Sequence, residues 1–188
     1  MYSYIRSELI ESISNTESEL QVPVSEACEV KRKDLHSFTR TQKIAGSTQL
    51  KKGEWYGIVR SKDVVVKDKN GKDVETCHES LIIGQVVVKS QPDGTEVWSF
   101  EGKMYEMNIQ NPREHKKTYN LERDLPAEED ETKYKYTKFK GLLPGKWRDF
   151  AKIKAEGQAY LDSMPKTWSW EENNCQMYQS NLWDRIQK

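Results

Sequence analysis

"LIIGQVVVKSQPDGTEVWSF", residues 81–100, decides the fold. Pro92 presets the first central position of a type I turn, and Gly94 supplies the left-handed position after it. Closing the hairpin on Gln91 and Thr95 opposes Val88 with Trp98 and Val86 with Phe100. Those four side chains make one apolar face. The other face carries Val87, Lys89, Val97 and Ser99 and is only partly apolar. Alternation of this kind marks half-buried antiparallel strands.

Upstream, "DVVVKDKNGKDVETCH" (63–78) holds a second hairpin whose register can be chosen on charge. A two-residue Asn70-Gly71 turn would oppose Lys69 with Lys72 and Asp68 with Asp73, two repulsive pairs. A three-residue loop with Gly71 in the left-handed conformation instead sets Asp68 against Lys72, Lys67 against Asp73 and Val66 against Val74. Each such pair contributes a few tenths of a kcal/mol up to about 1, so the three-residue loop is preferred. Downstream, Glu101-Gly102 reads as a tight connection returning "KMYEMNI" and bringing Tyr105 near Trp98. The result is an antiparallel meander of at least four strands over residues 55–110.

On the C-terminal side, residues 111–131 are turn-rich and then acidic, ending in Glu128-Glu129-Asp130-Glu131. "KYKYTKFK" (133–140) is a further strand. Tyr134, Tyr136 and Lys138 point to one face, and Lys133, Lys135, Thr137 and Phe139 to the other. Tyrosines face inward, while four acids next door answer four lysines. "GLLPGKW" ends the strand, and Phe150, Ile153, Tyr160, Leu161 and Met164 then recur at helical spacing. Gly157 weakens that helix by about 1 kcal/mol relative to Ala. Tyr178, Leu182, Trp183 and Ile186 define a last short helix. At the other end, Tyr2, Ile5, Leu9, Ile10 and Ile13 form an amphipathic helix, succeeded by an arm over residues 15–30 in which Pro23 interrupts helix. Residues 31–53 are basic and without clear period. The fold class is therefore α+β: a β-meander with a short N-terminal helix and two C-terminal helices. The sheet is either open and covered by those helices or partly closed into a small barrel. Residues 1–30 stand apart as helix and arm, and 31–188 form one domain.

The charge is patterned. Lys and Arg total 30 and so do Asp and Glu, but residues 1–30 carry a net −5 and residues 31–60 a net +6. Adjacent opposite blocks point to contact with a charged partner, with another copy, or with each other. No apolar run approaches the roughly 18 residues of a membrane span. The first residues lack the basic and apolar regions of a secretory signal. Three cysteines, Cys28, Cys77 and Cys175, are widely spaced and odd in number, and no N-x-[ST] acceptor occurs. An intracellular, reducing compartment, cytoplasmic or nuclear, with free thiols is expected.

Chemical motifs are sparse. Cys77 and His78 are neighbours on a strand and point to opposite faces, and no spaced Cys or His motif for zinc occurs. No G-x-S-x-G elbow exists, and Cys77 or Cys175 reads more readily as a small buried hydrophobe than as a nucleophile. "GLLPGKW" fails as a phosphate loop because Trp147 comes after Gly145-Lys146 and Pro144 lacks an N–H. No cofactor, metal or enzyme activity is expected. The expectation is a non-enzymatic interaction or assembly protein, of the kind viruses use as structural or accessory components. It would self-associate as its acidic arm, with Tyr2, Ile5, Leu9, Ile10 and Ile13, docks on a neighbour's basic surface. The alternative is binding of RNA or single-stranded nucleic acid by Lys31, Arg32, Lys33, Arg40, Lys43, Lys51 and Lys52, with Trp55 and Tyr56 stacking on bases.

Overall fold

A computed structural model describes residues 31–67, 70–110, 117–126, 129–165 and 174–188. The N-terminal helix and arm, Asp68, and Trp168 and Trp170 lie outside the described residues. In chain order the elements are β1 (Arg32–Asp34), α1 (His36–Ala45), β2 (Trp55–Lys67), β3 (Asp73–Ser90), β4 (Glu96–Gln110), β5 (Lys117–Asp124), β6 (Lys135–Leu142), α2 (Phe150–Ser163) and α3 (Cys175–Ile186). The strands form one curled half-barrel sheet in the order β1-β4-β3-β2-β6, with β5 also on β4. All pairings are antiparallel except β1 with β4.

Both hairpin registers agree with the sequence reading. Val86 pairs with Phe100 and Val88 with Trp98. Gly94 has φ 80° and its N–H donates to Gln91 O. In the other hairpin Val66 pairs with Val74 and Lys67 with Asp73, with Gly71 at φ 77°. Residues 55–110 hold three long strands, β2, β3 and β4, where at least four were expected, because Glu101-Gly102 is no turn. β4 runs straight through it, so Trp98 and Tyr105 lie on one strand, on opposite faces. Gly102 sits directly across from Gly84, and a Cβ on either would fall 2.6 Å from a carbonyl oxygen of the other strand. The two glycines let adjacent strands approach closely within a continuous ladder. The fourth strand is β5, from a stretch that reads as turn-rich, and residues 36–45 of the basic segment form a regular helix.

The sheet has two covered faces. On one, α2 and α3 pack over Leu81, Ile83, Tyr105 and Met107, with Tyr178, Leu182, Trp183 and Ile186 fully or almost fully buried. Asp149 caps α2 by accepting from the Ala151 and Lys152 N–H groups, and Asn174 caps α3 by accepting from Met177 N–H. On the other face, Phe38 and Ala45 of α1 cover Ile58, Ile82, Val86, Phe100 and Met104. α1 touches both β4 and β6, which lie at opposite ends of the run β4-β3-β2-β6. A single helix reaches both only from the concave side of the curl.

β6 departs from simple alternation. Arg60 pairs with Tyr136 but Val59 with Lys138, so Thr137 is an extra residue and the ladder shifts there. The shift reverses the facing of Lys138 and Phe139, before a second shift between Gly57 and Ile58. Phe139, expected opposite the tyrosines, joins their side and packs on Tyr56 with ring centroids 5.8 Å apart.

Candidate functional site

α1 is pinned to the sheet before it contributes to any site. β1 runs parallel to β4, placing the Arg32 guanidinium 4.0 Å from the centroid of Trp98 and 5.0 Å from that of Phe38. Ser37 Oγ accepts from the Phe100 N–H at 3.1 Å. The opposite side of α1 faces β6, and there the fold joins two stretches about a hundred residues apart. A cleft of about 440 Å³ is lined by His36, Arg40, Lys43 and Ile44 of α1 and by Glu131, Tyr134, Lys135 and Tyr136.

Below the cleft lies a chain of buried charges. Arg40 Nη1 is 3.0 Å from Glu129 Oε2, and Arg60 Nη1 holds the other oxygen of the same carboxylate. Arg60 Nη2 also reaches Glu106 Oε1 at 3.2 Å, and that oxygen accepts from Ser80 Oγ at 2.8 Å. The Arg40 and Arg60 guanidiniums stack on Tyr136 and Tyr134, 3.9 and 4.3 Å from the ring centroids. Cation–π contacts add about 1–2 kcal/mol each when desolvated. Burial, opposed in part by the two arginines, pushes the Tyr136 hydroxyl up to about 12. At the rim, Glu131 Oε1 lies 3.4 Å from Arg40 Nε and 3.2 Å from His36 Nε2.

This arrangement revises the reading of "KYKYTKFK" and its acids. Among the described residues of the acidic run, Glu129 neutralises two arginines from elsewhere in the chain, and only Asp130 pairs with a lysine of the strand, Lys133 at 3.3 Å. Lys135 pairs with Asp63 at 3.1 Å. The tyrosines face inward, but they cover guanidiniums at a cleft rather than an all-apolar core.

The basic segment is divided by the fold. Lys31, Arg32 and Lys33 lie on and beside the exposed edge strand, with Arg32 also bound to Asp34 at 2.7 Å. Lys51 and Lys52 are exposed on the connection to β2. Lys43 reaches the cleft, and Arg40 is buried beneath it. Tyr56 is only 3% exposed and its Oη accepts from the Lys51 N–H, while Trp55 packs on Phe150 at 4.6 Å on the α2 face. Neither aromatic therefore offers a free ring face beside the lysines. Tyr2, Ile5, Leu9, Ile10 and Ile13 lie outside the described residues. The cleft and the buried charges below it also gather His36, Arg60, Glu129, Tyr134, Lys135 and Tyr136, none of which the sequence marks as a site residue. The Lys–Tyr interleaving flags the last three, but nothing local announces which arginines they meet.

Among the described residues no group of three or more His, Cys, Asp or Glu is placed to hold a metal ion, and no helix is long and apolar enough to cross a membrane. Comparison with family models, curated proteins and solved structures finds no match to the chain.

Proposed function

We propose that the chain is a binding and assembly protein whose α1–β6 cleft receives an acidic, amphipathic peptide, namely the N-terminal arm of a second copy. The observation that carries this reading is the chemistry of the cleft. Lys43 and Lys135 stand at its rim, while Ile44, Tyr134 and Tyr136 offer apolar surface between them. The arm has the matching pattern, with apolar residues at helical spacing and a net charge of −5 over residues 1–30. A partner of uniform negative charge fits less well, because Glu129 already saturates both arginines and Glu131 occupies the rim. An isolated helix of this length is marginal in water, so docking would also order it.

Size-exclusion chromatography with light scattering tests this on the full chain. The expected result is a mass above the monomer that falls to the monomer on deleting residues 1–20, and equally with K43E/K135E. A wild-type monomer at high concentration, including one whose arm folds back on its own cleft, would overturn it. The second reading, single-stranded nucleic acid, now rests on Tyr134 and Tyr136 beside Lys43 and Lys135. Its test is a salt titration of binding to a labelled oligonucleotide. Affinity that K43E/K135E lowers and salt abolishes would favour it over arm exchange.

A further inference from the structure

β6 closes one side of the sheet and pairs along one edge only, with β2. Leu143 N–H donates to Trp55 O at 2.7 Å, so the backbone of the preceding residue, Leu142, points away from β2. Gln187 Nε2 takes up that Leu142 carbonyl at 3.2 Å, and just before the strand Arg40 Nη2 takes up Tyr134 O at 2.9 Å. Between these two side-chain caps, among the described residues, no strand lies along the outer edge of β6. The edge is also cationic, with Lys135, Lys138 and Lys140 and no acid in the strand. Lys135 is held by Asp63. Burial, and then the charge of Lys138, push the Lys140 ammonium below its usual range against the pull of Asp184 and Glu79. Tyr136 pairs with Arg60 and Leu142 with Tyr56, all on the α1 side of the sheet, where Leu142 is left 51% exposed.

We propose that residues 19–24 of the N-terminal arm, "ELQVPV", add to this edge as a further strand and extend the half-barrel sheet. This rests on the reading that the arm of a second copy fills the cleft, and it specifies how that arm is held. The segment alternates as a strand does, with Leu20, Val22 and Val24 on one face and Glu19, Gln21 and Pro23 on the other. Pro23 biases Val22 toward extended backbone, and a proline inside a strand is tolerated where its nitrogen faces solvent, at an edge. With Pro23 turned outward, the backbone of Leu20, Val22 and Val24 faces β6. Strand addition of this kind binds through main-chain hydrogen bonds and selects through side chains.

Charge decides the occupant. Lysines along an edge repel a like strand, so a second β6 is a poor partner. Glu17, Glu19 and Glu26, in and beside the segment, suit the same lysines. An apolar row laid on the α1 side meets Ile44, Tyr136 and the exposed Leu142. Length agrees as well. The two register shifts bend β6, which limits the bare edge to a short partner, and six residues at about 3.3 Å each span about 20 Å. The helix of Tyr2 to Ile13 precedes this segment and does not compete for the edge.

The test follows amide hydrogen exchange by mass spectrometry in the full chain, with the mass read by light scattering at the same concentration. Val22→Pro removes an N–H that faces β6, and Gln21→Pro removes one that faces away. Residues 135–141 should exchange about tenfold or more faster in Val22→Pro, as they should on deleting residues 1–24. In Gln21→Pro they should exchange as in wild type, and β3 and β4 should be unchanged throughout. Equal exchange of β6 in wild type, Val22→Pro and the deletion would overturn the added strand. If the mass still falls on deleting residues 1–20, arm exchange stands without it. Equal acceleration by both prolines would also overturn it, because only a paired strand distinguishes adjacent N–H groups. Protection that Val22→Pro removes in a strict monomer would uphold the strand and overturn its donation by a second copy.

Discussion

Arg40 of α1 and Glu129, in the segment before β6, form an ion pair at 3.0 Å in which the two side chains are 9% and 3% exposed. The same carboxylate binds Arg60 with its second oxygen. One acid thus fastens the helix on the concave side to the floor of the sheet. Removing one partner of a buried pair leaves an uncompensated charge and costs about 3–5 kcal/mol. Glu129→Gln should therefore lower stability by that amount in urea denaturation. Glu131→Gln, two residues on with its side chain 53% exposed, should change it by no more than about 0.5 kcal/mol.

The network separates features that are legible in the sequence from those that are hidden there. Both hairpins are legible because turn chemistry and cross-strand charge are local: Lys67 opposite Asp73 and Val86 opposite Phe100 come from counting back from Gly71 and Gly94. The C-terminal helices are legible for a related reason, since Tyr178, Leu182, Trp183 and Ile186 recur at the helical period. Glu129 is another matter. In sequence it sits within four consecutive acids, and its partners are 89 and 69 positions away. The facing of Phe139 is hidden by one extra residue at Thr137, which inverts Lys138 and Phe139 before a second shift past Phe139. Gly102 invites a turn reading because a glycine that admits a close neighbouring strand resembles, in sequence, one that permits a turn.

Gly157 gives a prediction whose sign the structure reverses. Helix propensity alone makes Gly157→Ala stabilising by about 1 kcal/mol. The added Cβ, however, would fall 2.5 Å from Tyr178 Oη and 3.0 Å from Asn120 Nδ2. Tyr178 is fully buried and donates to Asn120 Oδ1 at 2.6 Å, and Asn120 donates to Lys154 O at 3.0 Å. Gly157→Ala should therefore destabilise, by about 1–3 kcal/mol. With Tyr178→Phe in the same chain the obstructing oxygen is gone. The double variant should then lose less than the two single losses combined, read from thermal and urea melts.

His78 of β3 and Glu106 of β4, with Nε2 3.7 Å from Oε2, set a pH window. His78 is raised from 6.5 to about 9, chiefly by Cys175 and then Glu106. Its contribution is therefore complete below about 6.5 and is lost as the pH rises through 9. Burial alone would raise Glu106, but the hydrogen bonds from His78 and Ser80 and the charges of His78 and Arg60 hold it down at about 2. Its contribution is complete above about 4.5 and is lost as the pH falls toward 2. Between those limits both are present. Stability of the wild type, read from urea midpoints, should fall from pH 6.5 to 9.5 by an amount of order 2 kcal/mol. In His78→Gln that alkaline fall should be largely absent. Equal falls in the two proteins would show that His78 does not gain its proton affinity from the fold.

Sheet and helix approach closely at Gly57, where a Cβ would overlap the six-membered ring of Trp183 at Cζ3. Trp183 is 6% exposed and belongs to the cluster under α3, so its indole has little room to withdraw. Gly57 also lies next to a ladder shift between β2 and β6, so the backbone there is already committed. Gly57→Ala must then move either the strand or the ring, and overpacking of this kind costs about 1–3 kcal/mol. Trp183→Leu removes the obstructing atoms while leaving a cavity, and should by itself cost about 2–4 kcal/mol. If that contact forbids a side chain at position 57, adding Gly57→Ala to Trp183→Leu should cost nearly nothing. The double-mutant cycle should show a coupling of about 1–2 kcal/mol, readable from urea denaturation of the four proteins. Additive losses would mean that residue 57 requires glycine for its backbone and not for the indole above it.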